Sequence, residues 1–371
     1  MLDLGNDVCL LPGLIDTHVH LAFNASADVV GRLAAVDDAQ LLDQMAGAAH
    51  QALQAGITTV RDLGDRSFLA LRLRDQLDAW GDPGPQIVAS GPPITSRSGH
   101  CHFLGGVATG AQELRAAVRE RAERGCEVVT VMVSGGHLTP GSSVHDSQYD
   151  LADLRLIATE AHRLGLRTAA NVHNPRSVAD AVAAGVDTLE HVTFRTAEGV
   201  DADAATADAI AESGAVVSVT VGDVPSRGDS HASVARRLEI MIESWARLHR
   251  HGVRIVPGTD AGLSPSKPHD VLPYGLTALG GLGMTNLEAL RAATSVAADQ
   301  ASEVHPDRPG PRSPPIALIE HHPGTRHDVD HFLSDDAITH GGRMDAVQRE
   351  QPTRAPPGSV AGEEPRVGHR R

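Results

Sequence analysis

The chain has 371 residues, with 32 Lys+Arg against 47 Asp+Glu and a formal net charge of -15. That length suits one large domain or two small ones. The negative balance argues against nucleic acid or an anionic membrane as partner, since both demand a basic face. At 41% hydrophobic and 21% charged, the chain can bury a core. No apolar run approaches the ~18–20 residues of a membrane span, and the first twenty residues lack the basic and apolar regions of a secretion signal. The expectation is a soluble, cytoplasmic protein. Cys9, Cys101 and Cys126 lie far apart, so neither a disulfide framework nor a thiolate zinc site is indicated.

In chain order, short β-branched runs alternate with Ala/Leu/Arg stretches of helical period. The runs Leu14–His20, Ile57–Asp62, Gln86–Ser90, Val128–Ser134, Leu166–Val172, Thr188–Val192, Ala215–Val221 and Arg254–Thr259 predict strands. Helices are predicted over Asp38–Ala55, Ser67–Ala79, Ala111–Arg124, Leu151–Leu164, Ser177–Ala184, Asp203–Ser213, Ser233–His251 and Asn286–Ala298. Glycine follows many of them, at Gly56, Gly125, Gly165, Gly185, Gly214 and Gly252, where a left-handed C-cap belongs. Eight strands with helical crossovers in about 250 residues fit an α/β fold of (β/α)8, TIM-like type. An open doubly wound sheet would carry GxGxxG after its first strand, and none is present. After Gln300 the text changes. Residues 301–371 hold 10 of the 22 prolines and 7 of the 21 histidines, and the reading is a disordered tail. The expected division is a lead-in at 1–12, the barrel at 13–300 and the tail at 301–371.

Chemistry concentrates at strand ends. In Pro12-Gly13-Leu14-Ile15-Asp16-Thr17-His18-Val19-His20, His18 and His20 share one face of a strand and can chelate a divalent metal, with Asp16 behind them. Asn171 and His173 end the fifth predicted strand, His191 the sixth, and Asp260 the eighth. Those are the ends on which barrel active sites are built.

These segments resemble the amidohydrolase superfamily, in its imidazolonepropionase-like and Xaa-Pro dipeptidase-like branch. The matching text is LLPGLIDTHVHL, AGITTVRDLGD, SRSGHCHFLGG, VMVSGGHLTPG, EAHRLGLRTAANVHN, AVAAGVDTLEHVTF, VPGTDAG and GMTNLEALRAATSVAA, over about residues 8–298. The resemblance implies a metal-dependent (β/α)8 hydrolase of C–N bonds in amides, cyclic amides or dipeptide-like small molecules. It implies that His18, His20 and Asp260 hold the buried metal, that Asp260 also shuttles protons, and that His191 serves a second metal or the substrate. Imidazole and carboxylate ligands suit zinc first.

Two positions depart from the branch. Its bridging carboxylated lysine is replaced by Thr130, and the sole lysine, Lys267, lies beyond the eighth strand, so no carboxylated lysine can form. Its HAH reads Asn171-Val172-His173, with His173 available as a substitute ligand. At most one tightly held metal is expected. The branch also flanks its barrel with a β-sandwich. Only about ten residues precede the first barrel strand, and the text after Gln300 does not read as a return, so the sandwich is expected to be largely missing. A shifted reading frame would produce such Pro/Arg/His-rich text. Uncovered apolar surface would then favour association into a homo-oligomer.

His100 and His102 after the third strand, and His137 after Ser134-Gly135-Gly136, are placed at the pocket wall as substrate contacts, together with Asn171. Asp62 and Asp65 read as structural. Two rival readings stand beside the hydrolase: a homologue without turnover, favoured by Thr130 and Asn171, and a mononuclear deaminase-like enzyme.

Overall fold

The structure is a computed structural model, and it describes residues 8–80, 83–224, 232–301 and 316–320. Eight parallel strands carry the molecule: β2 (Leu14–Val19), β3 (Ile57–Asp62), β4 (Gln86–Ala89), β5 (Val128–Met132), β6 (Arg167–Val172), β7 (Thr188–His191), β8 (Val216–Thr220) and β9 (Arg254–Gly258). They form one sheet ordered β2-β3-β4 and another ordered β5-β6-β7-β8-β9. At the two seams the sheets meet through isolated parallel bridges, Ile94 to Val131 and Val19 to Ala261. The architecture is thus α/β with parallel sheets, and no continuous ladder runs around it among the described residues. Each strand lies within two residues of its predicted span. Every residue of β2, β3, β5 and β7 is buried, as parallel strands covered on both faces must be.

Helices fill the connections: α1 (Val29–Ala35), α2 (Asp38–Gln54), α3 (Leu69–Trp80), α4 (Gly110–Arg124), α5 (Leu151–Arg163), α6 (Pro175–Ala184), α7 (Ala204–Ser213), α8 (Ala232–Arg250) and α9 (Leu272–Gly280). Their starts follow local chemistry. Asp37 caps α2 in a reciprocal box with Gln40, Asn174 caps α6 ahead of Pro175, and Asp203 caps α7. The expected left-handed glycines end α4, α6 and α7. The core falls into two main parts: α4 to α8 pack on the five-stranded sheet, and α1 to α3 on the three-stranded one.

Two expectations are corrected. The helix predicted over Asn286–Ala298 is two helices, α10 (Asn286–Ala292) and α11 (Ser295–Ala301). They are parted where Thr294 Oγ1 turns back onto the Leu290 carbonyl at 2.6 Å. The tail, read as having no return strand, contains β10 (Ile316–Glu320), which pairs antiparallel with β1 (Val8–Pro12) over five residues. Its apolar Ile-Ala-Leu-Ile run is the signal that the surrounding prolines obscured. The rest of the predicted tail, 302–315 and 321–371, lies outside the described residues.

Candidate metal centre

The predicted pair on β2 is brought together with the predicted carboxylate after β9. His18 Nε2 lies 3.5 Å and His20 Nε2 3.4 Å from Asp260 Oδ1. Three features of the backbone make this approach. Gly258 lets β9 come against β2, where a Cβ would stand 2.4 Å from that of His18. Asp260 adopts a left-handed φ of 60°, its amide donating to the His18 carbonyl at 2.8 Å. Asp16, buried beneath the histidines, accepts the Thr259 hydroxyl at 2.6 Å and the Thr259 and His18 amides. Burial raises the Asp16 pKa to about 7 against those hydrogen bonds. Asp16 is therefore a latch between the first and last parallel strands.

Both histidines turn their open nitrogen inward. His18 Nδ1 donates to Glu190 Oε2 at 3.0 Å, and His20 Nδ1 to the Gly64 carbonyl at 3.2 Å. Each Nε2 is thereby left with its lone pair toward Asp260, the arrangement that fixes an imidazole as a metal ligand. Burial alone would raise the Asp260 carboxyl; protonated at Nε2, His20 and His18, with a charged His191, would outweigh it and hold the group well below the carboxylate range, a role that a bound cation would take over. The fit to a cation can be tested on Asp260 Oδ1: it is buried, has no hydrogen-bond partner, and lies with the two imidazoles so that their ligand atoms are within 4.8 Å of one another. A buried anionic oxygen facing two lone pairs is a donor set that a divalent ion completes. Among the described residues, no other such cluster of three forms.

The remaining predicted residues separate by burial. His191 is buried, with Nε2 3.0 Å from Asn171 Nδ2 and Nδ1 3.0 Å from Thr220 Oγ1. Both ring nitrogens are therefore engaged by protein groups. Burial, with His173 and His18 nearby, drives its pKa well down. His173 stacks on it at 4.5 Å. His173 Nδ1 meets Thr193 Oγ1 at 3.1 Å, and that hydroxyl itself donates to the His173 carbonyl. His173 thus donates through Nδ1 and keeps a lone pair on Nε2, and burial lowers its pKa to about 3. His100 is buried against Gly136, its Nδ1 lacks a partner, and burial takes its pKa down to about 4. His102 and His137 are exposed, the first on a 3₁₀ turn over His102–Leu104 and the second beside Arg195. Thr130 on β5 and Asn171 on β6 share the interior face, because Thr130 pairs with Ala169 and Asn171 with Met132. Thr130 Oγ1 and Asn171 Oδ1 are both buried without partners. Asp62 accepts the Leu21 and Gly64 amides and Asp65 that of Ala70, the structural duty read for them. Lys267 donates to the Thr259 and Gly222 carbonyls at 2.8 and 3.3 Å, remote from β5 in its bonding.

One functional pair escaped the sequence reading. Glu190, fully buried, accepts from Arg61 Nη2 at 2.6 Å through Oε1 while Oε2 holds His18. Burial would raise its carboxyl, but Arg61 and His18 bring it down to about 2. The signal was a charge in the middle of two apolar strands, ITTVRD and TLEH. Neighbouring residues Glu190 and His191 both reach the interior because His191 takes a left-handed φ of 67°. Trp245 of α8 braces that corner, its indole N–H shared between the His191 and Val192 carbonyls at 3.0 Å each.

A parallel α/β scaffold gathers two histidines and a carboxylate at its strand ends, a group that could hold a metal ion. The chain belongs to the amidohydrolase family, whose model matches residues 9–302. That is a family of hydrolases whose members typically bind a divalent metal. The chain is 29% identical over 384 residues to ochratoxinase of Aspergillus niger, covering 90% of this chain and 75% of that protein. The ochratoxinase crystal structure superposes with a TM-score of 0.69 at 26% identity, covering 88% of this chain and 80% of the other. A prolidase complexed with N-methylphosphonate-L-proline gives a TM-score of 0.69 at 25% identity, over 92% and 87%. A Xaa-Pro dipeptidase with bound methionine gives 0.72 at 23% identity, over 90% and 84%, a likeness of fold alone. No helix among the described residues is long and apolar enough to cross a membrane.

Proposed function

We propose that the chain hydrolyses a C–N bond of an amide-type small molecule, using one divalent metal, with zinc as the first choice, on a scaffold that works as a (β/α)8 barrel. The observation that carries this is the unpartnered Asp260 Oδ1 facing the Nε2 atoms of His18 and His20. Those three atoms would hold the ion. When bound, a divalent ion supplies Lewis acidity that activates water and polarises a carbonyl. Asp260, with its second oxygen, takes up the proton released on attack and returns it to the leaving nitrogen. His173, neutral and with an open Nε2, accepts the N–H of the scissile amide or adds a fourth ligand. His191, engaged at both nitrogens, orients Asn171. His100 and Asn171 supply polar wall contacts. His102 and His137, both exposed, are assigned to the mouth by this reading.

The likeness to an ochratoxinase and a prolidase supports an amide substrate over a deaminase-like one. A second reading, a homologue without turnover, is favoured by Thr130 and Asn171, which by resemblance replace the bridging lysine and one histidine ligand of the branch's second metal. Metal analysis of the untagged chain separates the two. About one ion per chain, absent from a His18→Ala/His20→Ala variant, together with hydrolysis in an amide screen, is the expected result. No ion in either protein after zinc supplementation would refute the hydrolase.

A further inference from the structure

Lys267, the sole lysine of the chain, has no part in the chemistry described above, yet its ammonium is committed to the backbone beside Asp260. It stands on the loop between β9 and α9. That loop closes on itself, the Gly262 amide donating to the Lys267 carbonyl at 2.8 Å and the Lys267 amide to that of Ser264 at 2.9 Å. It is also fastened to the segment after β8. There the Val224 amide donates to the Ser266 carbonyl at 2.8 Å, and Ser266 Oγ to Asp223 Oδ1 at 2.6 Å. From this anchored position Nζ donates to the Thr259 carbonyl at 2.8 Å and to the Gly222 carbonyl at 3.3 Å. Asp223 Oδ2 stands 3.7 Å from Nζ, but that carboxylate is half exposed and solvent screens the pair. The two carbonyls are therefore the main hold on the ammonium.

The Thr259 carbonyl matters because of the peptide it belongs to. A peptide group turns as one plane, and the plane between Thr259 and Asp260 is gripped on both sides. Its C=O accepts from Lys267, and its N–H donates to the His18 carbonyl at 2.8 Å. Asp260 holds a left-handed φ of 60°, a conformation that persists only where surroundings enforce it. Flipping this one plane would take Asp260 out of the left-handed region, and it would break both bonds at once. Thr259 is fixed on its other side, its hydroxyl and amide both donating to Asp16. The strain at Asp260 thus has a ready route of relaxation, and Lys267 opposes it. A cation serves better here than a neutral donor, since charge-assisted hydrogen bonds are the stronger kind. The Lys267 side chain is only 17% exposed, so little water competes.

We propose that Lys267 is a positioning residue. Its ammonium bridges the carbonyls that follow β8 and β9, holds the Thr259–Asp260 peptide, and so keeps the Asp260 carboxylate against His18 and His20. The consequence for a metal rests on the hydrolytic reading; the hold on the peptide does not.

The test uses the full chain and two substitutions. Lys267→Met removes the charge and the donors at similar length, and Lys267→Arg keeps both. In metal-free protein, amide hydrogen exchange over 258–262 should rise at least about tenfold in Lys267→Met. Exchange over 128–191 should stay at the parent's level, and Lys267→Arg should restore protection. With zinc, competition against a chromophoric chelator should show affinity about tenfold or more lower in Lys267→Met and close to the parent's in Lys267→Arg. The visible absorption bands of bound cobalt should change shape in Lys267→Met alone, a signature that a mere loss of stability does not move. Should Lys267→Met fail to fold, acetylation of the folded parent takes its place. With one lysine the side-chain reaction has a single site, and the same reagent on Lys267→Arg controls for the N-terminus. Unchanged exchange over 258–262 overturns the proposal. So does a rise spread evenly over the chain, a Lys267→Arg protein no better than Lys267→Met, or equal zinc affinity in all three proteins. A parent that binds no zinc refutes the hydrolytic reading instead, and the exchange comparison then decides this inference by itself.

Discussion

At the scale of single residues, the site depends on backbone that most side chains avoid. Asp260 and His191 both lie in the left-handed region, which costs about 1–3 kcal/mol each and persists only where surroundings enforce it. Asp260→Asn keeps that geometry and removes the proton acceptor. It should abolish hydrolysis while leaving the circular dichroism spectrum and melting temperature close to the parent's; full activity in this variant would sink the assigned role. Glu190→Gln should act differently, by loosening the His18 ring. Metal affinity, read by competition with a chromophoric chelator, should fall by about 10–100-fold, the usual effect of removing a carboxylate behind a ligating histidine. Thr130→Lys with Asn171→His should raise the bound metal from one toward two per chain, and unchanged stoichiometry would contradict the account of what those two positions removed. His18, His20 and Asp260 were legible in the sequence because period two and strand ends place them. The Glu190–Arg61 pair was not, because it joins β7 to β3 across the interior: each strand shows a charge inside an apolar run, but which two charges meet depends on strand register.

At the scale of elements, apolar runs bounded by glycine located all eight parallel strands within two residues, and most helices likewise. Four elements escaped for identifiable reasons. In α9 the text LPYGLTALG has no polar stripe, so helical period is invisible in it. α1 is only seven residues long, its start set by the Asp28 carboxylate on the Gly31 amide at 2.9 Å. β1 and β10 each need the other, and they lie some three hundred residues apart. The capping box of α2 offers a clean measure of local contribution. Asp37→Ala leaves two amides without an acceptor and should destabilise the fold by about 0.5–2 kcal/mol, seen as a drop of a few degrees in thermal melting. Gly262→Ala should do far more harm. Its φ is 99°, and a Cβ there would stand 2.5 Å from the His20 carbonyl oxygen.

At the scale of the whole molecule, the candidate metal centre sits at a seam. His18 and His20 belong to β2 of the three-stranded sheet, and Asp260 follows β9 of the five-stranded one; outside the site the two strands meet through a single bridge at Val19 and Ala261, a few hydrogen bonds and a small apolar cluster that includes Ile15 and Val256. An ion held by all three residues would tie the first parallel strand to the last. Chelation should therefore lower the melting temperature and raise amide hydrogen exchange selectively in 14–20 and 254–261, with both changes absent from the His18→Ala/His20→Ala variant. Saturating metal at a thousandfold excess over its dissociation constant would stabilise by about 4 kcal/mol, so uniform exchange across the chain would count against a seam role. The chain also carries its own optical readout of this region. It has two tryptophans, Trp80 and Trp245, and the second has its indole N–H bonded to the corner that carries His191. In a Trp80→Phe background all the indole fluorescence would come from beside the candidate centre, and emission could follow metal loading and substrate arrival in real time without any added label.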